Sequence, residues 1–306
     1  MKKFLNLFLK GIAIGIANII PGVSGGTIAL ITEVYEDLIN SIKSFDIKAL
    51  KLLRSCKFYK LLEHINAKFL FPILFGLVFS AIFSAKLLSN LFEKENDSLV
   101  WSLFFGLILS SVYFIGKRVK NWDKNNIIIL IFGFIISISL LFLTPASEND
   151  NLFFVFLCGL IGIIGMMVPG LSGSFIIILM GNYALMLNFL EKSFMLQKDA
   201  LILLSVFILG NIIGLLSFSR LIAWLLKNYK DQLLSLLTGF ILGSLMVIWP
   251  WQECQKWLDI EKKEKCLEVI RYLPNLNIEL LYHALLMLIG FLIVWWLEVS
   301  NLKKTN

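Results

Sequence analysis

Pro21-Gly22-Val23-Ser24-Gly25-Gly26-Thr27 and Pro169-Gly170-Leu171-Ser172-Gly173-Ser174 interrupt two long apolar stretches, residues 4–39 and 152–190. A Pro-Gly pair followed by Ser and Gly cannot continue an α-helix, because proline lacks the amide hydrogen and clashes with the preceding turn. Each stretch therefore reads as a re-entrant hairpin of two helices with a polar tip. Outward from the tips, further residues align at one constant offset: Gly11 with Gly159, Ser24 with Ser172, Gly25 with Gly173 and Tyr35 with Tyr183. With small changes of loop length the correspondence continues. Gly76 matches Gly210, Lys86 matches Arg220, the stretch from Gly106 to Ser111 matches that from Gly239 to Ser244, and Gly133-Phe134 matches Gly290-Phe291. The chain reads as two repeats, residues 1–150 and 151–306, together one integral membrane domain.

The composition agrees with a membrane setting. Hydrophobic residues make up 58% of the 306 and charged residues 16%, where a soluble domain carries about 25% charged. Apolar runs at 69–92, 99–116, 127–144, 200–226, 233–249 and 280–297 are each long enough to cross the hydrocarbon layer. The expected fold is all-α and polytopic, each half being one re-entrant hairpin plus three transmembrane helices. The net charge of +7 is that of cytoplasmic Lys and Arg setting orientation, and no nucleic-acid partner is expected. Seven basic residues lie in the 40–68 connection, Glu93 to Asp97 is acidic, and Lys117, Arg118, Lys120 and Lys124 follow the next run. The alternation places both termini in the cytoplasm, and three spans per half invert the second copy. The mixed-charge segment 250–279 falls outside, with a helical reading from Trp251 to Tyr272 and a disulfide between Cys254 and Cys266 left open. Four cysteines without a C-x-x-C pair offer no zinc site. No metal or cofactor is expected.

Backbone that is not helical survives at membrane depth only inside protein or against a watery cavity, so two tips entering from opposite faces imply a polar site near the midplane. Helix N-termini there, with glycines permitting close approach, suit an anion. The candidate phosphate-binding residues are Ser24, Gly25, Gly26, Thr27, Ser172, Gly173 and Ser174. Asn18, Pro21, Gly22, Pro169 and Gly170 shape the tips. Lys86 and Arg220 fall near the far ends of their helices, where they receive an anionic headgroup or snorkel to the interface. Glu33, the carboxylate after the first tip expected to be buried, is the candidate for coupling a proton or sodium ion. Asn18, Asn182 and Asn211 are candidates for hydrogen bonds between helices, and His283 for an interface position. Rows of small residues such as Gly76, Ser80, Gly210 and Gly214 allow close packing within a protomer or in a homo-oligomer. With two histidines and no Ser/His/Asp grouping, a lipid-phosphate-modifying enzyme has little support, and no catalytic residue is expected.

The run from Gly15 to Thr27, followed by Tyr35-Glu36 and a second Pro169-Gly-Leu-Ser-Gly-Ser174, resembles the bacterial polyprenyl-phosphate transporters of the PopT type over nearly the whole chain. In that pattern a Gly stands two residues before the Tyr-Glu pair, where this chain has Glu33. The resemblance implies a multi-pass protein of the bacterial cytoplasmic membrane. Its implied activity is the return of undecaprenyl phosphate, the lipid carrier of cell-wall precursors, from the outer to the inner leaflet, rather than an enzymatic reaction. From the residues alone, a transporter or channel for a small soluble anion serves the tips equally well.

Overall fold

A computed structural model describes residues 2–19, 23–91, 97–194, 197–260, 263–274 and 278–305. Helices dominate. The first half holds α1 (Lys2–Ile19), α2 (Gly25–Ile31), α3 (Tyr35–Lys43), α4 (Ile47–Arg54), α5 (Phe58–His64), α6 (Ala67–Leu91), α7 (Asp97–Lys117) and α8 (Lys124–Ser139). The second holds α9 (Leu152–Met167), α10 (Gly173–Leu179), α11 (Tyr183–Phe194), α12 (Lys198–Asn228) and α13 (Lys230–Ser244). A two-stranded hairpin, β1 (Gln252–Ile260) with β2 (Lys263–Arg271), then precedes α14 (Ile278–Thr305). Among the described residues, Ser98–Lys117, Lys124–Phe142, Lys198–Asn228 and Ile278–Val299 are long and apolar enough to cross a membrane. Two bent helix pairs raise these four to as many as six. The chain is a multi-pass helical membrane protein.

Glycine decides which helices pair. A Cβ on Gly11 of α1 would collide with the Ile73 carbonyl of α6, and one on Gly76 of α6 with the Phe8 carbonyl of α1. The same reciprocity recurs between α9 and α12 through Gly159 and Gly210, between α7 and α14 through Gly106 and Gly290, and between α8 and α13 through Gly133 and Gly239. Without a hydrophobic force between helices in lipid, van der Waals contact at such close crossings is what holds a pair. α1 and α6, like α9 and α12, are near in sequence. α7 and α8 instead each pair with a helix of the other half, so neither half packs as an independent body.

Two expectations need correction. Each segment expected to be a two-helix hairpin has a second break after its tip: α2 and α10 last only seven residues before the chain turns into α3 and α11, and α11 lies at 110° to α10. Both short helices end in the same cap. Val34 N–H donates to Ala29 O at 2.9 Å and Glu33 N–H to Leu30 O at 3.2 Å; Asn182 N–H donates to Ile177 O at 3.2 Å and Gly181 N–H to Ile178 O at 2.8 Å. This is the Schellman arrangement, which needs a left-handed residue where Glu33 (φ 59°) and Gly181 (φ 78°) stand.

The second correction concerns 250–279, which forms an antiparallel β-hairpin instead of a helix, so the fold is mainly rather than wholly α. Strand formers such as Trp257, Val269 and Ile270 outweigh the helical look of the segment. The backbone register runs from Gln252 opposite Arg271 to Ile260 opposite Lys263, with irregularities on either side of Lys256. The base is pinned by Tyr272 N–H on Trp251 O at 3.1 Å and by the Trp249 indole on Tyr272 O at 3.0 Å. Arg271 Nε ties it to the turn after α13 through Met246 O at 2.5 Å. The register sets Cys254 opposite Val269 and Cys266 opposite Trp257; the side chains that would decide a disulfide lie outside the described residues.

Candidate functional site

Ser24 is the N-cap of α2, in extended conformation, and its Oγ accepts from Gly26 N–H at 3.2 Å. Gly25 N–H donates to Asn18 Oδ1 at 3.0 Å, tying the end of α1 to the start of α2. Asn18 therefore closes the first tip on itself. The hydroxyls of this tip then reach the second one. Ser24 Oγ donates to Val168 O at 3.4 Å, Thr27 Oγ1 accepts from Gly170 N–H at 3.0 Å, and Tyr35 Oη donates to Met167 O at 3.0 Å. Ser24, Thr27 and Tyr35 are all buried. The two tips thus clasp one another, and the first-tip donors, expected to be free for an anion, satisfy protein atoms in this conformation.

The second tip differs. Ser172 caps α10 in extended conformation but makes no side-chain cap bond; its Oγ pairs with Ser174 Oγ at 3.0 Å, and both serines are half-buried. These two hydroxyls are held by each other. Gly170, at φ +84°, has no room for a side chain, since a Cβ would lie 2.5 Å from Ile241 N and from Phe240 C. Pro21 and Gly22 of the first tip, and the Lys86 side chain, fall outside the described residues.

Beside the first tip lies a cavity of about 490 Å³, within the range of about 300–1,000 Å³ typical of ligand pockets. Asn18, Gly25 and Gly26 form its polar end; α6 contributes Leu70, Leu74 and Leu77, and α12 contributes Ile212, Leu215 and Leu216. Ile14, Ile163 and Met167 close the back, and Tyr35 to Phe45 the remaining side. Phe45 also lines a second cavity, of about 450 Å³, formed by α4, α5 and Arg220. Arg220 is exposed there, donating to Leu216 O at 2.8 Å and Phe45 O at 3.3 Å. Asp46, in the same cavity, caps α4 through Ala49 N–H at 2.9 Å and bonds His64 at 3.0 Å. Both bonds favour the charged form and hold its carboxyl below the usual range.

Glu33 is not the buried carboxylate. Its side chain is 45% exposed, because the left-handed cap turns it away from the core. The buried acid is Glu298, 5% exposed, which receives Arg118 at 2.6 Å; Arg118 reaches Glu33 at 3.5 Å. Arg118 also donates to Leu30 O at 2.9 Å and Ile31 O at 3.5 Å. One guanidinium thereby joins the last carbonyls of the tip helix α2 to α7 and α14, a placement favoured by the negative end of the helix dipole. In the sequence Arg118 stands among loop charges, and the signal for its partner is the lone acid Glu298 after Trp295-Trp296-Leu297.

Of the three asparagines, Asn18 bridges α1 and α2, Asn182 holds Asn149 through N–H at 2.9 Å and C=O at 2.7 Å, and Asn211 donates within its own helix to Phe207 O. His283, in the first turns of α14, is buried against protein, its Nδ1 2.8 Å from Ser102 Oγ on α7.

The left-handed Glu33 carries a testable cost. A non-glycine residue there costs roughly 1–2 kcal/mol, against roughly 0.2–1 kcal/mol from an exposed ion pair. Glu33→Gly is expected to leave the melting temperature in detergent unchanged or raised, while Glu33→Ala, which keeps the strain and loses Arg118, lowers it. A melting temperature of Glu33→Gly below that of the wild type would show that the ion pair outweighs the strain.

A family model described as VCA0040-like, undecaprenyl phosphate translocase-like, matches residues 14–266. A polyprenyl-phosphate transporter of Vibrio cholerae serotype O1 is 40% identical over 256 residues, covering 83% of this chain and 80% of the relative. A polyprenyl-phosphate transporter of Staphylococcus aureus is 27% identical over 261 residues, covering 81% and 87%. No solved structure matches. Both relatives are named as transporters, not enzymes, and on the match over most of its length the chain belongs to the undecaprenyl phosphate translocase-like family.

Proposed function

We propose that this protein carries a polyprenyl phosphate, undecaprenyl phosphate in the family's terms, from the outer to the inner leaflet of the cytoplasmic membrane. The observation that carries the reading is the apolar cavity that ends on the polar groups of a re-entrant tip. A prenyl lipid phosphate has the same two-part chemistry. A small soluble anion would gain nothing from the leucine and isoleucine walls contributed by α6 and α12.

In this mechanism the phosphate crosses at the paired tips, where Gly25, Gly26, Thr27, Gly173 and the hydroxyls of Ser24, Ser172 and Ser174 take its oxygens, while the tail stays in apolar surroundings. The clasp between the tips is the closed arrangement, and its parting gives alternating access. Reciprocal glycine crossings and paired Schellman caps support an inverted repeat of two structurally equivalent halves. The basic 40–68 connection, with Arg220 beside it, is assigned to the cytoplasmic side, and Lys86 to the opposite mouth, with both termini cytoplasmic.

Purified protein in liposomes, given fluorescent undecaprenyl phosphate, tests this. Protein-dependent movement of the lipid phosphate, with the matching polyprenol and soluble phosphate left in place, is expected. Movement of soluble phosphate without the lipid would replace the reading with that of an anion transporter.

A further inference from the structure

The cavity beside the first tip is not sealed. At its back Ile14 and Met167 are deeply buried, at 4% and 8% exposure, whereas Leu74 on α6 and Ile212 on α12 stand 46% and 48% exposed. An apolar chamber whose walls run outward between two membrane helices communicates with the lipid, not with water. Its contents must match that lining. At the inner end are Asn18 and the glycine backbone of the first tip; on another side Phe45 leads to the cavity containing Arg220.

The neighbouring segment is built for a leaflet surface. On α4, Ile47, Leu50 and Leu53 recur every three residues and are exposed, as are Phe58, Tyr59 and Leu62 on α5. Between them lie the exposed Lys48, Lys51, Arg54, Lys57 and Lys60. Short helices with exposed apolar residues among lysines lie in the headgroup boundary, where the apolar side chains enter the acyl region and the cations face anionic lipid.

We propose that the gap between α6 and α12 is the lateral portal for the substrate tail. The prenyl units nearest the phosphate occupy the 490 Å³ cavity, and the α4–α5 segment forms the lip through which the lipid joins the adjoining leaflet. This inference rests on the polyprenyl-phosphate reading and deepens it by placing the tail. Arg220 supplies the positive charge at the lip; Asp46, the carboxylate in that cavity, is engaged by Ala49 N–H and His64. The occupant is an isoprenoid chain with an anionic head. It matches an apolar chamber that has a polar group at its inner end and an arginine near its mouth.

The experiment uses full-length protein in proteoliposomes. Leu74→Trp and Ile212→Trp narrow the portal at half-exposed positions, and Ile131→Trp on α8, also half-exposed and away from the cavity, is the control. Both portal variants are expected to lower undecaprenyl phosphate transport at least about tenfold, the scale of overfilling an occupied space, with unchanged melting temperature and an unaffected control. An undecaprenyl phosphate carrying a photoreactive group on the second isoprene unit is expected to label α6 and α12. If wild-type protein transports the lipid but the portal variants match it and the label falls on α7, α8 or α14, the portal is wrong and the functional reading stands. If wild-type protein transports no polyprenyl phosphate, the functional reading falls and the portal with it.

Discussion

Arg118→Ala is expected to destabilise the protein by about 3 kcal/mol, the low end of the cost of stripping the partner from a buried charge. The low end applies because the Arg118 side chain is 28% exposed whereas that of Glu298 is 5% exposed. Removing the guanidinium leaves a carboxylate facing a packed interior and also uncaps Leu30 O and Ile31 O at the end of α2. The loss should appear as a lower melting temperature in detergent and as reduced transport, since α2 carries the first tip. Arg118→Ala combined with Glu298→Leu should recover most of the stability, because an apolar replacement of a whole buried pair is often neutral. Recovery of stability without transport would mark the link to α2 as the functional part. No stability loss in the single variant would mean that Glu298 is not charged in the folded protein.

Gly170→Ala comes next in size. The position sits at φ +84° and its missing Cβ points at the backbone of Phe240 and Ile241, 2.5 Å from the nearest atoms. Left-handed strain of roughly 1–2 kcal/mol adds to overpacking of roughly 1–3 kcal/mol, because a backbone neighbour cannot rotate aside. Relief requires the second tip to shift, and the Gly170 N–H bond to Thr27 Oγ1 shifts with it. Lowered stability and loss of lipid transport are expected together. For stability, Thr27→Val separates the causes, because it removes the hydroxyl without backbone strain and leaves the buried Gly170 N–H unmatched, a cost of roughly 1–3 kcal/mol. A Gly170→Ala protein with native stability and transport would mean that the tips do not meet as described.

The tips were legible because proline and glycine act locally: Gly170 needs its conformation whatever surrounds it. The aligned glycines were legible for a related reason, since Gly11, Gly76, Gly159 and Gly210 stand where two backbones touch and no side chain fits. The break after each tip was hidden in the first half, where Glu33 occupies a conformation usually given to glycine. The hairpin was misread because the strands pair residues up to 19 apart, Gln252 with Arg271 at the base, and local periodicity in a segment of mixed charge does not report such a register. Arg118 and Glu298 stayed unseen as a unit because their contact joins residues 180 apart in sequence, and periodicity carries no information at that range. What the tip hydroxyls bind was also beyond the sequence: it names the donors, while only the packing reveals that Ser24 and Thr27 hold the other tip.

The most direct measurement of the central claim, that the tip hydroxyls handle the phosphate, uses the two serines whose recorded side-chain bond is with each other. Ser172→Ala/Ser174→Ala removes hydroxyls that are half-buried and pair at 3.0 Å, so little stability depends on them. The account expects an unchanged melting temperature and a large loss of undecaprenyl phosphate movement in liposomes. Wild-type transport by the folded double variant would contradict it.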